Sequence, residues 1–192
     1  MPFVANGLLW KMDKNHMQQL TKDLLVEMGE DPKREGLRET PRRVADMFAE
    51  RTEGYSMNPK EILSKEWNET SGMVVAKNID FFSLCEHHLL PFYGTVNLGY
   101  IPSRSVVGLS KLVRLVDCFS KRLQLQERMT KQIADAMNDN LRPLGVVVVV
   151  QARHLCMEMR GVKSGADVLT SEIRGRFEKF ETRNEFFEML RK

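Results

Sequence analysis

Val146-Val147-Val148-Val149-Val150-Gln151-Ala152-Arg153-His154-Leu155-Cys156-Met157-Glu158-Met159 decides how the rest of this chain is read. Five consecutive valines after Pro143-Leu144-Gly145 form a short apolar β-branched run, the mark of a buried strand. The pattern predicts that this strand continues to Met159. Residues two apart on a strand share a face, so His154, Cys156, Glu158 and Arg160 would line one side. Arg153, Leu155, Met157 and Met159 would line the other.

Upstream, the period changes. Leu109, Leu112, Val113 and Val116, then Leu125, Met129, Ile133 and Met137, recur at helical spacing, in one long helix or two shorter ones. Earlier still, Met73 to Phe82 and Tyr93 to Ile101 are rich in β-branched and aromatic residues, with Pro91 and Pro102 as punctuation. The order strand, strand, helix, strand implies an α+β domain with a largely antiparallel sheet. Two helices precede it. Met17, Leu20, Leu24 and Met28 define the first, over Asn15 to Met28, with Gly29 as its stop. Thr40-Pro41 reads as an N-cap followed by proline at the first helical position, and Val44, Met47 and Phe48 carry that helix toward Gly54. A last helix is expected from Thr182 to Leu190. No internal repeat interrupts this pattern.

The bulk composition narrows the function classes. The 192 residues suffice for one core-forming domain with an N-terminal extension. The net charge of +3 comes from interleaved basic and acidic residues, which argues against a nucleic-acid binder and leaves room for a local anion pocket. No stretch has the length of a membrane span. The run Phe3 to Trp10 is broken by Asn6-Gly7 and has no basic residue before it, so it makes a poor signal peptide. Three cysteines without a pairing pattern point to a reducing cytoplasm.

Chemistry concentrates in Cys85-Glu86-His87-His88 and His154-Leu155-Cys156. Cys85 and His88 are three apart, so one turn can aim both at a single ion, and a thiolate with an imidazole favours zinc. That pair alone would be incidental; Cys156 turns it into a Cys2His set with one coordination position open, as in catalytic sites. His87 and His154 remain beside it to move protons. Cys118 falls on the apolar face of the central helical segment and reads as core packing. Lys111 and Arg114, three apart, would project together from a helix. No glycine-rich phosphate loop is present, so a phosphorylated ligand would need such discrete cations.

Cys85-Glu86-His87-His88, Gly108-Leu109-Ser110-Lys111, Gln124-Leu125-Gln126-Glu127-Arg128 and His154-Leu155-Cys156-Met157-x-Met159-Arg160-Gly161 together resemble the GTP cyclohydrolase I family, in its order and at its spacing. Gly29-Glu30-Asp31-Pro32, Glu39-Thr40-Pro41-x-Arg43-Val44 and Thr170-Ser171…Gly175-x-Phe177 extend the likeness over residues 15 to 190. The resemblance implies Cys85, His88 and Cys156 as Zn2+ ligands, with a zinc-activated water attacking C8 of GTP. His87 and His154 would be the acid–base pair for ring opening and formate release. Ser110 would stand by the ribose for the Amadori-type rearrangement that leads to 7,8-dihydroneopterin triphosphate. Glu127 would grip the guanine edge, with Gln126 beside it. Lys111, Arg114 and Arg160 would hold the triphosphate, and Arg43 would reach in from a neighbouring subunit.

The same resemblance implies a tunnelling fold over residues 61–192, a four-stranded antiparallel sheet with paired helices, behind a helical extension over residues 1–60. It also implies a homodecamer of two stacked pentamers with active sites between subunits, no nucleic-acid partner and no membrane. The charged stretch Glu172 to Lys179 stands out for this family and reads as a solvated, salt-bridged surface. Two rival readings are a tunnelling-fold nitrile reductase using Cys85 as nucleophile and a non-catalytic zinc module. Gly108-Leu109-Ser110-Lys111 speaks against the first, and three ligands with two spare histidines speak against the second.

Overall fold

A computed structural model describes residues 12–69 and 72–191. The Phe3 to Trp10 run lies outside the described residues. Helix α1 (Lys14–Glu27) is capped by Asp13, whose carboxylate accepts from the N–H groups of Asn15 and His16. Helix α2 (Thr40–Arg51) packs against it. Thr40 is the first residue of α2 and not its cap; Glu39 fills the cap position without a side-chain bond, and Pro41 stands in the first turn as expected. A one-turn helix, α3 (Pro59–Ile62), leads to β1 (Glu66–Trp67).

Four long strands make the body of the sheet: β2 (Val74–Cys85), β3 (Pro91–Ile101), β6 (Gly145–His154) and β7 (Val168–Gly175), each antiparallel to its neighbour. Two short pieces complete the set. Strand β4 (Val106–Val107) pairs with β1 in a separate ribbon, and β5 (Leu123–Gln124) adds a parallel edge beside Leu84 and Cys85. The order across the main sheet is β5-β2-β3-β6-β7. The apolar segment between Leu109 and Asn140 is two helices, α4 (Leu109–Ser120) and α5 (Gln126–Leu141), separated by β5.

Two expectations are corrected. The strand opened by the valines stops at His154, and Leu155–Glu158 forms a single helical turn, α6, closed by Met159 N–H to the Leu155 carbonyl at 3.0 Å. The β-branched run has ended by then, and Leu, Met and Glu favour helix. The charged stretch, in turn, contains the second half of β7, a strand that periodicity did not reveal. Its salt-bridged character agrees with the contacts, Arg174 bonding Asp135 at 2.8 Å and Glu172 at 2.6 Å, while Phe177 in the same stretch is fully buried and not solvated.

Helices α4 and α5 bury Leu112, Leu115, Val116, Met129, Ile133 and Met137 against Phe81, Phe92, Leu98 and Val148 of the sheet. Each such fully buried side chain contributes roughly 1.5–3 kcal/mol. On the opposite face α7 (Phe180–Arg191) sets Phe186 over Phe177 and Val147. Gly99 permits this approach: a Cβ there would stand 2.9 Å from the Phe186 ring. No helix among the described residues is long and apolar enough to cross a membrane.

Candidate active site

The ladder brings the chemistry-bearing segments to one end of the sheet. Ser83 of β2 is opposite Phe92 of β3, and Phe92 is opposite His154 of β6. Strand β5 pairs Gln124 with Cys85, so α5 begins at the same end. After Cys85 the chain turns tightly. Its carbonyl accepts from the N–H groups of His88 at 3.3 Å and Leu89 at 2.9 Å, while its own N–H donates to Leu90 at 2.8 Å. Glu86 anchors that turn to α5 through a two-pronged ion pair with Arg128, one prong at 3.0 Å. This pairing holds the Glu86 carboxyl below its ordinary pKa.

Cys85, His88 and Cys156 each offer a ligand atom, and these atoms lie within 4.8 Å of one another. Bonds of ~2.3 Å to sulfur and ~2.1 Å to nitrogen, at tetrahedral angles, separate such donors by roughly 3.5–3.8 Å. The donor set therefore fits a tetrahedral metal after a small contraction, with one position left open. Arg160 Nη1 stands 2.7 Å from His88 Nε2. A guanidinium only donates, so Nε2 accepts and Nδ1 carries the hydrogen of the neutral ring; an ion taken up at either ring nitrogen would displace this contact. Burial and the neighbouring Cys85 thiol raise the Cys156 pKa.

Beside this cluster a cavity of about 200 Å3 is lined by Cys85, His87, Gln126, Glu127, His154 and Cys156 among others. His154 lies flat against Phe92, with ring centroids 4.8 Å apart and an interplanar angle of 3°. Burial lowers its pKa, opposed by the charges of Glu127 and Glu158, so the neutral ring is favoured. Glu127 is exposed in the first turn of α5, where a carboxylate sits well with the helix dipole. Gln126 faces His154 instead, its Oε1 2.7 Å from His154 Nε2.

Ser110, Lys111 and Arg114 are elsewhere. They open α4, and its N-terminus follows β4, where the Val107 N–H donates to the Tyr100 hydroxyl at 3.1 Å. Tyr100 pairs with Val74, at the end of β2 opposite Cys85. The first turn of α4 therefore begins at the far end of β2 from the cysteine cluster. Arg43 is exposed on α2.

The sequence reading passed over several contributors. Phe92 is one, and Gln124 is another: it lines the cavity and its buried Oε1 has no partner among the described residues. Thr130, which with Thr170 surrounds Gln126, carried no spacing signal either. Size alone does not mark the site. A wider cleft of about 860 Å3, lined by Lys60, Glu66, Arg104 and Asp139 among others, contains neither cysteine nor histidine.

The GTP cyclohydrolase I family model matches residues 17–191. The GTP cyclohydrolase 1 of Bacteroides fragilis (strain YCH46) is 50% identical over 181 residues, covering 93% of this chain and 91% of that protein. That of Bacteroides thetaiotaomicron is 52% identical, covering 87% of each, and that of Thermobifida fusca (strain YX) is 47% identical, covering 93% and 89%. Among solved structures, the archaeosine synthase QueF-Like in the apo form overlaps at 20% identity and a TM-score of 0.46, covering 56% of this chain and 97% of that one, which leaves the assignment to the sequence relatives. A match running from the first helix to the last, with relatives about half identical along nearly their whole length, leaves one assignment: the chain belongs to the GTP cyclohydrolase I family of enzymes.

Proposed function

We propose that the protein hydrolyses the guanine ring of GTP, releases C8 as formate and recloses the product as 7,8-dihydroneopterin triphosphate. The observation that carries this reading is the convergence of Cys85, His88 and Cys156 beside His154 and Glu127 at one end of the sheet. Cys85, His88 and Cys156 would hold Zn2+, which when bound supplies Lewis-acid polarisation of water at the ring carbon. The remaining chemistry belongs to the chain. Glu127 accepts hydrogen bonds from the ring N–H and exocyclic amine of guanine, fixing the base edge-on in the cavity. His154 and His87 exchange protons with the ring nitrogen and with the formamide nitrogen that is left when formate departs.

Ser110, Lys111, Arg114 and Arg160 would serve the ribose and triphosphate, with Arg43 also reaching in. The placement of α4's first turn at the end of β2 away from Cys85 supports a site completed by a second copy of the chain. The cavity agrees, because about 200 Å3 is below the ~300–1,000 Å3 of ordinary small-molecule pockets. Two further features support assembly: Leu24 of α1 and Met28 at its C-terminal cap are 58% and 69% exposed, and β7 ends the sheet with an edge unpaired among the described residues. A homodecamer of two pentamers in the tunnelling fold fits these features. A boundary near residue 60 between helical extension and catalytic domain, and a reducing cytoplasm suggested by three free thiols, complete the reading.

The test is incubation of zinc-loaded protein with GTP, following pterin absorbance and formate together. Equal yields of both, lost in Cys156→Ala, are the expected outcome. A zinc-loaded wild-type oligomer that releases no formate would refute the assignment.

A further inference from the structure

Gln126 is only 1% exposed, and its amide is fully engaged. Its Nε2 lies 3.1 Å from the Val150 carbonyl oxygen, 3.0 Å from that of Val168 and 3.2 Å from Thr170 Oγ1. Carbonyl oxygens only accept, so the amide nitrogen must face them. A flipped amide would set oxygen against oxygen twice in a buried place. The hydroxyls close the arrangement. Thr130 Oγ1 donates to the Gln126 main-chain oxygen at 2.7 Å. The Thr130–Thr170 contact of 2.6 Å therefore needs Thr170 as donor, which leaves Thr170 Oγ1 to accept from Gln126. Every hydrogen bond in this ring has one permitted direction.

The consequence falls on His154. Gln126 Oε1 can only accept, and it stands 2.7 Å from His154 Nε2, so that nitrogen carries a hydrogen. Phe92, fully buried and parallel to the imidazole, fixes the plane of the ring. In the neutral ring Nδ1 is then the nitrogen with the open lone pair.

We propose that Gln126 is a positioning residue and not a substrate contact: backed by Thr130, Thr170 and two strand carbonyls, it holds His154 with hydrogen on Nε2 and presents Nδ1 as the atom that exchanges a proton with the substrate. The part concerning exchange rests on the cyclohydrolase reading; the tautomer does not. Guanine recognition then falls to Glu127, and Gln126 owes its place at the start of α5 to the imidazole it braces.

The test uses zinc-loaded, histidine-labelled protein without substrate, sedimented for solid-state 15N spectroscopy. The chain has four histidines, so a His154→Gln spectrum identifies the signal by subtraction. The wild type is expected to give the Nε2–H tautomer, and Gln126→Met a mixture of both. In turnover, Gln126→Met is expected to lower kcat by about 10- to 100-fold with KM for GTP within about twofold, because a misplaced proton weakens acid–base catalysis and not binding. Thr170→Val, which leaves both carbonyl contacts, gives a smaller loss of the same kind if Gln126→Met does not fold. An Nδ1–H tautomer in the wild type overturns the proposal. So does a variant whose KM rises while kcat holds, which would return Gln126 to the substrate. Failure of the cyclohydrolase reading is seen separately, as wild-type protein that makes no formate while its tautomer is still read directly.

Discussion

Cys118 and Cys156 carry the same thiol in opposite circumstances. Cys118 is fully buried on α4, 3.2 Å from the Arg122 guanidinium and 3.7 Å from the Met57 carbonyl, and burial pushes its thiol pKa up. Cys156 lies partly exposed at the cavity. Thiolate is the form that reacts, and exposure decides who meets the reagent. Alkylation of chelator-treated protein, followed by peptide mass spectrometry, is expected to modify Cys156 first and Cys85 more slowly, while sparing Cys118 until the chain unfolds. Added Zn2+ should protect Cys85 and Cys156. Labelling of Cys118 at the rate of Cys156 would contradict the packing described here. At this scale the sequence was informative, because ligand spacing is local and thiol and imidazole chemistry survives without coordinates. The partners of Gln126 were not legible. They are carbonyls of Val150 and Val168 on two different strands, and no side-chain pattern encodes where a carbonyl points.

Among the elements, legibility followed amphipathic contrast. The two earlier strands and the helices around Leu112 and Ile133 were readable because one face of each is apolar and buried, and the valine run because both of its faces are. Strand β7 was not, since its charged residues, Glu172 and Arg174, are half-buried toward α5 while Leu169 is exposed, and its place is set by pairing with β6. The turn holding Cys156 was misread as strand for the opposite reason: its pattern suited both states, and only the end of the β-branched run separated them. Helix α7 was expected from Thr182 to Leu190 and runs from Phe180 to Arg191. Its hold on the sheet depends on Phe186, fully buried over Gly99 and Val147. Phe186→Ala is expected to cost about 3–5 kcal/mol, read as a lowered unfolding midpoint. The folded fraction should keep its kcat, because Gly99 pairs with Val75 and Val147, away from the Cys85 end. A kcat that falls with an unchanged midpoint would contradict this separation.

Taken whole, the molecule has two ends with different equipment. Thiols, imidazoles and Glu127 gather where β2 and β6 finish, while Ser110, Lys111 and Arg114 stand where β2 begins. Head-to-tail repetition of such a unit brings unlike ends together. Lys111→Ala and Cys156→Ala should each be inactive alone, yet co-assembled in equal amounts they should recover about a quarter of wild-type activity, since that fraction of random neighbours pairs two intact halves. A mixture no more active than its parents would place every needed group on one chain.

The two ligand-bearing segments also fix an order of events in the life of the protein. Between His88 and Cys156 the chain runs through β3, α4, α5 and β6, which contain most of the core. An ion cannot gather Cys85, His88 and Cys156 until that core has formed, and the core has its own reasons to form. For a metal held by these three residues, acquisition would be a late act of maturation, completed on a folded scaffold and then tightening it.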